Sequence, residues 1–382
     1  MFANRNRMKI LQIIPNLKKG GAERLVLDIC HAFGDIDGVS VKLLLLSTEN
    51  DYKELSKGID VEYVSCRVEL SLLRKNKFQI NELQAILDSF QPDIIHSHLF
   101  KAEILSRSCY YPKAKWFSHI HDNMPQMRIL SCSKMFSKQG ITDYYEKHFL
   151  LKRYKTNGGN HFISISKHTN DYIKSVQNVH DSSVLLNGIA YRKFYKKKDL
   201  SKGLGDTIKL INIGSFVDKK NQFFLLGVVH RLLQMGHKIH LDLLGDGKNR
   251  ARIEKGIKDL SISQNVTLHG LVDNVEEYLW EADFYVHSAT YEPLGLVLLE
   301  GMAAGLPVVC LDGGGNRDIM ENGKNGYMIL DINPNTFAEE LDGLIRDESA
   351  YAQISKYCQE FAKSYDIHNY VKSLHAIYKT QT

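Results

Sequence analysis

Glu292-Pro-Leu-Gly-Leu-Val-Leu-Leu-Glu300, running straight into Gly301-Met-Ala-Ala-Gly-Leu-Pro307-Val-Val, is the stretch on which the fold turns. An apolar run ends near Ala289, and Glu292–Gly295 then forms a tight turn. From Leu296 to Ala304 apolar residues continue at helical length. Gly305 and Pro307 close the helix as a C-terminal glycine and a breaker should. Val308–Cys310 is the next strand. A strand, a tight turn, a helix and a further strand form the unit of a parallel α/β sheet. The turn also carries chemistry. Gly295 lets backbone come close to a ligand. The N–H groups of Leu296 and Val297 have no partner inside the helix, and they point out of its positive end as an anion site suited to a phosphate or diphosphate. Glu292 lies in the turn and Glu300 about one helical turn in. Each carboxylate accepts two hydrogen bonds, and a vicinal diol supplies two donors. One Glu is therefore expected to hold a sugar hydroxyl and the other a ribose diol. The plainer reading makes both solvated charges. The apolar flanks Leu298, Leu299, Met302 and Ala303 speak for a buried helix, where an unpartnered Glu is costly.

Outward from this stretch the same alternation continues. Ile208–Ile213, Ile239–Leu244, Val266–Leu268 and Phe284–Ser288 read as strands, and Gln222–Gln234, Arg250–Leu260 and Val275–Trp280 as helices. Asn335–Asp347 and Ala350–Ser364 read as two more helices. Upstream, Lys9–Ile14, Val39–Ser47, Val61–Val64, Ile94–Ser97, Lys115–His119 and His161–Ser166 are strand-like, with helices at Ala22–Phe33 and Ile80–Phe90. Between the halves, Tyr191–Thr207 is rich in Lys, Gly and Asp and lacks periodicity. The expected organisation is a Rossmann-like domain over 1–190, a linker over 191–207 and a second Rossmann-like domain over 208–364. The C-terminal helix, about 365–382, is expected to pack back on the first domain. Two doubly wound domains of this kind are expected to face a central cleft into which the C-terminal strand ends point.

Composition narrows the function. The chain has 382 residues, a length that suits about two domains. Apolar residues make up 43% and charged residues 24%, which excludes a disordered or collagen-like chain. No apolar run approaches the roughly 18–20 residues of a membrane span. Met1–Arg7 is polar and basic and does not read as a secretory signal. Six cysteines without a C-x-x-C pair suggest buried, reduced thiols in a cytoplasmic protein. Net charge is +5. Residues 1–190 hold 26 Lys and Arg against 19 Asp and Glu, so the excess lies in the first half. Such a half suits a phosphorylated substrate or an anionic membrane surface as well as it suits plain solvation. The basic, aromatic stretch Lys134–Lys155, with Phe136, Tyr144, Tyr145, Phe149 and Leu150, is the candidate for peripheral membrane contact. An amphipathic helix packed on the sheet is the competing reading.

Further candidates are scattered. Gly20-Gly21-Ala22-Glu23 follows the first strand and opens a helix, a place for a phosphate or acceptor. It is not the G-x-G-x-x-G dinucleotide fingerprint. Gly245-Asp-Gly247 is followed by Arg250 where a third glycine would stand, which disfavours a nicotinamide enzyme. His96-Ser-His98 and His119-Ile-His121 end successive strands. The nearest approach to an Asp-x-Asp metal motif, Asp35-Ile-Asp37, sits in a turn, so no metal and no cofactor are expected.

Glu, seven residues, Glu, then a small-residue helix and Pro-Val-Val resembles family 4 of the retaining, GT-B-fold glycosyltransferases. Leu244–Gly247, Val266–Gly270, Gly313–Glu321 and Asn325-Gly326 arrive in that family's order, and the likeness is weaker in the first half. The resemblance implies that Glu292 contacts the donor sugar, that Glu300 holds the ribose, and that Leu296 and Val297 give backbone donors to the diphosphate. Lys220 falls on the family's diphosphate lysine. Ser215 stands where an arginine is usual, which removes a bidentate phosphate clamp. His121 resembles the histidine beside the reacting sugar. The implied reaction moves a sugar from a nucleotide diphosphate sugar, UDP favoured, to a hydroxyl of a glycan or lipid-linked glycan with retention, in cell-surface polysaccharide synthesis. A nucleotide-sugar epimerase, a phosphorylase or a non-catalytic nucleotide-binding module on the same fold are the alternatives. No nucleic-acid partner is expected.

Overall fold

The computed structural model describes residues 7–71, 75–127, 137–176, 181–201 and 203–381. Two units emerge. The first holds the described residues up to Asn187 together with Ile367–Gln381, and the second is Gly188–Asp366.

The first unit is built on a seven-stranded sheet. Its strands are β1 (Met8–Ile14), β2 (Val39–Leu45), β3 (Val61–Tyr63), β6 (Ile94–His98), β7 (Lys115–Ile120), β8 (His161–Ser164) and β9 (Ser182–Val184), and all its pairings are parallel. Their order is β3-β2-β1-β6-β7-β8-β9. β4 (Arg67–Glu69) and β5 (Lys77–Gln79) form a separate antiparallel hairpin. Parallel strands covered on both faces read as unbroken apolar runs, and β1 is buried from Ile10 to Ile14. Order reverses beside β1, with β2 on one side and β6 on the other. At such a switch point the loops leaving the strands splay apart and open a crevice at the C-terminal strand ends.

Helix Ile367–Gln381 completes this unit. Ile367, Tyr370, Val371, Leu374 and Tyr378 join Ile10, Phe33, Ile94 and Phe117 in one buried cluster. Each such apolar side chain contributes about 1.5–3 kcal/mol when fully buried. Phe33 stacks on Tyr378 with ring planes 10° apart. The basic stretch divides differently from expectation. Lys134 and Phe136 lie outside the described residues. Helix Lys138–Thr156 buries Leu150 and Tyr154 in a core cluster, with Phe149 packed beside them, so these do not form a surface patch. Tyr144 is exposed.

The second unit repeats the scheme with β10 (Ile208–Ile213), β11 (Ile239–Leu244), β12 (Val266–Gly270), β13 (Phe284–His287), β14 (Val308–Leu311) and β15 (Gly326–Ile329), all parallel. The order β12-β11-β10-β13-β14-β15 reverses beside β10. The stretch expected as a linker, 191–207, is instead partly built into this unit. Tyr191–Phe194 is a short helix with both aromatic ends buried. Trp280 Nε1 donates to the Phe194 carbonyl at 2.8 Å, and Gln359 Nε2 donates to that of Lys196 at 2.8 Å. The Lys and Gly content that suggested a linker hides two buried aromatics.

Candidate active site

Helix Leu296–Ala303 is apolar on nearly every side, with Leu298, Leu299, Gly301, Met302 and Ala303 buried. Gly301 lets it lie against β13, where an added Cβ would stand 3.0 Å from Tyr285 Cδ2. Gly295 caps its N-terminus at φ 99°, a left-handed conformation that disfavours a side chain. Leu298 N donates to Gly295 O at 2.9 Å, which closes the first turn. The N–H groups of Leu296 and Val297 are the ones this turn leaves at the helix end.

Glu292 is clasped by the loop after β14. Its N–H donates to Gly313 O at 2.7 Å and its carbonyl accepts from Gly315 N at 2.8 Å. A Cβ on Gly315 would lie 1.8 Å from Pro293 O, so only glycine admits this approach. From β13, His287 Nε2 reaches Glu292 Oε2 at 3.0 Å, and Lys220 Nζ reaches the same oxygen at 2.5 Å. Burial pushes the Glu292 carboxyl up, but the His287 hydrogen bond and the Lys220 charge outweigh it and hold its pKa at about 2. Burial holds His287 below its ordinary value, so it is a neutral donor through Nε2. Both contacts fall on Oε2. Among the described residues Oε1 takes none, and it is the acceptor left for a ligand.

Lys220 is steered by its own backbone. Ser288 Oγ donates to Lys220 O at 2.9 Å and Thr290 N to Lys219 O at 2.9 Å. The loop Gly214–Phe216 runs backbone to backbone against Gly245–Gly247. Gly214 N donates to Leu244 O and Phe216 N to Asp246 O, each at 2.9 Å. A Cβ on Gly245 would lie 2.1 Å from Gly214 O. Gly214 and the exposed Ser215 line a cavity of about 130 Å3, walled by Ile213, Leu244, Gly270, Leu271, Val272 and Val275 at the ends of β10, β11 and β12. Its largely apolar walls suit a flat ring. Glu300 is half-buried within the helix. After burial, its charge is among the causes that raise the Tyr285 phenol.

The remaining expected residues lie in the first unit. Gly20 caps helix Gly21–Gly34, and both its backbone groups meet the Tyr52 hydroxyl at 3.2 Å. A Cβ there would strike Glu23 Oε2 at 2.3 Å, whereas Gly21 faces open space. His121 follows β7 and is half-buried. His98 Nδ1 lies 2.9 Å from His121 Nε2, and His98 Nε2 lies 2.7 Å from Gln12 Oε1.

His96, His98 and His119 bring nitrogen atoms within 4.8 Å of one another. Metal ligation needs lone pairs that converge. The His96 and His119 rings are stacked with planes 7° apart, so their lone pairs run in parallel planes, and both His98 nitrogens are already paired. The cluster does not suit an ion.

Three neighbours escaped the reading of the sequence: Gln12, His98 as a partner of His121, and His287. A glutamine inside an apolar strand, and a histidine ending the strand before Glu292, were the available signals.

Two parallel-sheet units, with a glycine-capped helix and an acid–base cluster at the strand ends of the second, define a GT-B fold. The structure superimposes on that of Anabaena HepE in complex with UDP and glucose with a TM-score of 0.77, at 20% identity over 98% of this chain and all of that one. The profile described as glycosyltransferase family 4 matches residues 19–192, and that described as glycosyl transferases group 1 matches 195–361. The chain belongs to this glycosyltransferase family. It is 32% identical over 151 residues to the lipopolysaccharide core biosynthesis glycosyltransferase LpsE of Rhizobium meliloti, covering 40% of this chain and 43% of that protein. It is 27% identical over 166 residues to the poly(glycerol-phosphate) alpha-glucosyltransferase of Bacillus subtilis, covering 43% of this chain and 25% of the other. The chain thus spans less than half the length of these two curated relatives.

Proposed function

We propose that this protein transfers a glycosyl group from a nucleotide diphosphate sugar, with UDP as the favoured nucleotide, to a hydroxyl of a glycan or lipid-linked glycan in cell-surface polysaccharide synthesis. The observation that carries the reading is the pairing of Lys220 with Glu292 beside the N-terminus of helix Leu296–Ala303. Lys220 and the N–H groups of Leu296 and Val297 hold the leaving diphosphate and stabilise the charge it gains. Oε1 of Glu292 accepts from a hydroxyl of the transferred sugar, and Glu300 holds the ribose. The acceptor oxygen attacks the anomeric carbon on the face the diphosphate leaves, and a diphosphate oxygen takes its proton, so the configuration is retained. The chain supplies orientation and charge in this scheme and needs no metal. Names of the relatives favour a hydroxyl of a cell-surface polymer as acceptor: one concerns lipopolysaccharide core, the other poly(glycerol phosphate). Contact of the first unit with an anionic membrane, through the exposed Lys152, Lys155 and Tyr144, belongs to the same proposal. Among the described residues no helix is long and apolar enough to cross a membrane.

A panel of nucleotide sugars, scored for thermal stabilisation and for release of nucleoside diphosphate, tests the reading. The anomeric configuration of the first product, read by NMR, tests retention. Stabilisation by no nucleotide sugar, or an inverted product, overturns the corresponding part.

A further inference from the structure

Gln12 is wholly buried in β1, at a position where its neighbours Leu11 and Ile13 are core residues. Strand register sets it beside His96 of β6, and sets His98 of β6 beside His119 of β7. Its amide has two partners. Nε2 donates to the Tyr378 hydroxyl at 3.3 Å, and Oε1 faces His98 Nε2 at 2.7 Å. Tyr378 in turn bonds His96 Nδ1 at 2.6 Å, so the amide is held from the C-terminal helix.

Proton positions follow from donor and acceptor inventory. An amide oxygen only accepts, so His98 Nε2 carries a hydrogen. Burial, together with His96, His119 and His121, keeps His98 neutral, so it has one hydrogen and Nδ1 is a lone pair. His121 Nε2, 2.9 Å away, must then be the donor. Burial first, then His119 and His96, keep His121 neutral as well, so its own Nδ1 is bare. No described residue hydrogen-bonds that nitrogen. The His119 ring, stacked on His121 at 4.2 Å with planes 10° apart, fixes the plane in which its lone pair points.

We propose that Gln12 is a positioning residue which, acting through His98, holds His121 in the Nε2–H tautomer and presents His121 Nδ1 as a bare hydrogen-bond acceptor to a substrate hydroxyl. The naming of a sugar as the ligand rests on the function proposed above; the tautomer relay does not. A bare acceptor takes an O–H group and repels an anionic oxygen. The group opposite His121 is therefore a hydroxyl rather than a carboxylate.

Protein labelled with 15N-histidine decides the matter, because long-range 1H–15N correlations separate the two tautomers. His98 and His121 are expected as Nε2–H in the wild type. His121 found as Nδ1–H, or as a mixture, overturns the proposal without any variant. In Gln12→Leu, His121 should lose its single tautomer, and kcat should fall roughly three- to tenfold, the worth of one misdirected neutral hydrogen bond, with nucleotide affinity unchanged. An unaltered tautomer pattern in Gln12→Leu also overturns it. If the wild type shows the expected tautomers yet turns over no nucleotide sugar, the relay stands and the proposed function falls.

Discussion

Lys220 and Glu292, 72 residues apart in the chain, meet at 2.5 Å between the ammonium and a carboxylate oxygen that His287 also holds. On the function proposed above, a diphosphate at the helix end would compete with Glu292 for that ammonium, so that donor binding would loosen one pairing as it formed another.

Replacing Lys220 by Met should remove the diphosphate contact and leave a buried Glu292 with His287 alone. Breaking a buried pair from one side costs about 3–5 kcal/mol. With Lys220 only partly buried, the lower end is expected, seen as a drop in melting temperature. Titration calorimetry should show nucleoside diphosphate weakened more than nucleoside. Equal weakening would assign Lys220 a structural role only.

The two glutamates should separate kinetically. Glu292→Gln is expected mainly to lower kcat, and Glu300→Gln mainly to raise the donor KM. Each loses a hydrogen bond to a charged group, worth roughly 1.5–3 kcal/mol, or about tenfold or more. Identical defects in the two variants would refute the division.

Acid should weaken the first unit before it reaches Glu292. Burial lowers the His119 pKa from 6.5 to about 4, and burial together with the neighbouring histidines holds His96, His98 and His121 well below their ordinary value. Below pH 6.5 the unfolded chain binds protons that these rings refuse, so stability falls as pH drops. His119 alone accounts for roughly 3 kcal/mol once pH is below its folded value. Glu292 has the opposite chemistry but the same sign: its lowered pKa gives stability above 4.5 that is lost as pH falls towards about 2. Denaturant unfolding of wild type and His119→Gln across pH 4–7 checks the order. A wild-type curve flat over that range contradicts it.

If Lys220 and the helix N-terminus hold the diphosphate as proposed, added EDTA should leave glycosyl transfer intact. Loss of activity restored by Mg²⁺ or Mn²⁺ would show that an ion is required.

Much of the fold was legible because its signals are local. Gly295, Gly305 and Pro307 punctuate a helix whose ends the structure places at Leu296 and Ala303. Other features were carried by distant pairings. Strands of three residues, such as Arg67–Glu69 and Lys77–Gln79, are too short to show alternation. Tyr191 and Phe194 looked like linker because nothing nearby in sequence covers them; Trp280 and Gln359 hold that segment from far downstream. Glu292, Gly295, Leu296 and Val297 sit on one turn and could be read together. The meeting of Gln12, His98 and His121 depends on the register of three strands, which no single segment encodes.

The helix Ile367–Gln381 sets an order of assembly. Gln12 and Tyr378, hydrogen-bonded within the first unit, are 366 residues apart. On the ribosome the first sheet emerges early, yet the cover for Ile10, Phe33 and Phe117 follows only after Gly188–Asp366 has been made. At about 5–20 residues per second that delay is roughly 10–35 s. For this interval the nascent first unit shows an uncovered apolar face and is a natural client for a chaperone, while the contiguous second unit can complete itself. A nonsense codon near position 366 would therefore spare the second half of the chain and unmake the first.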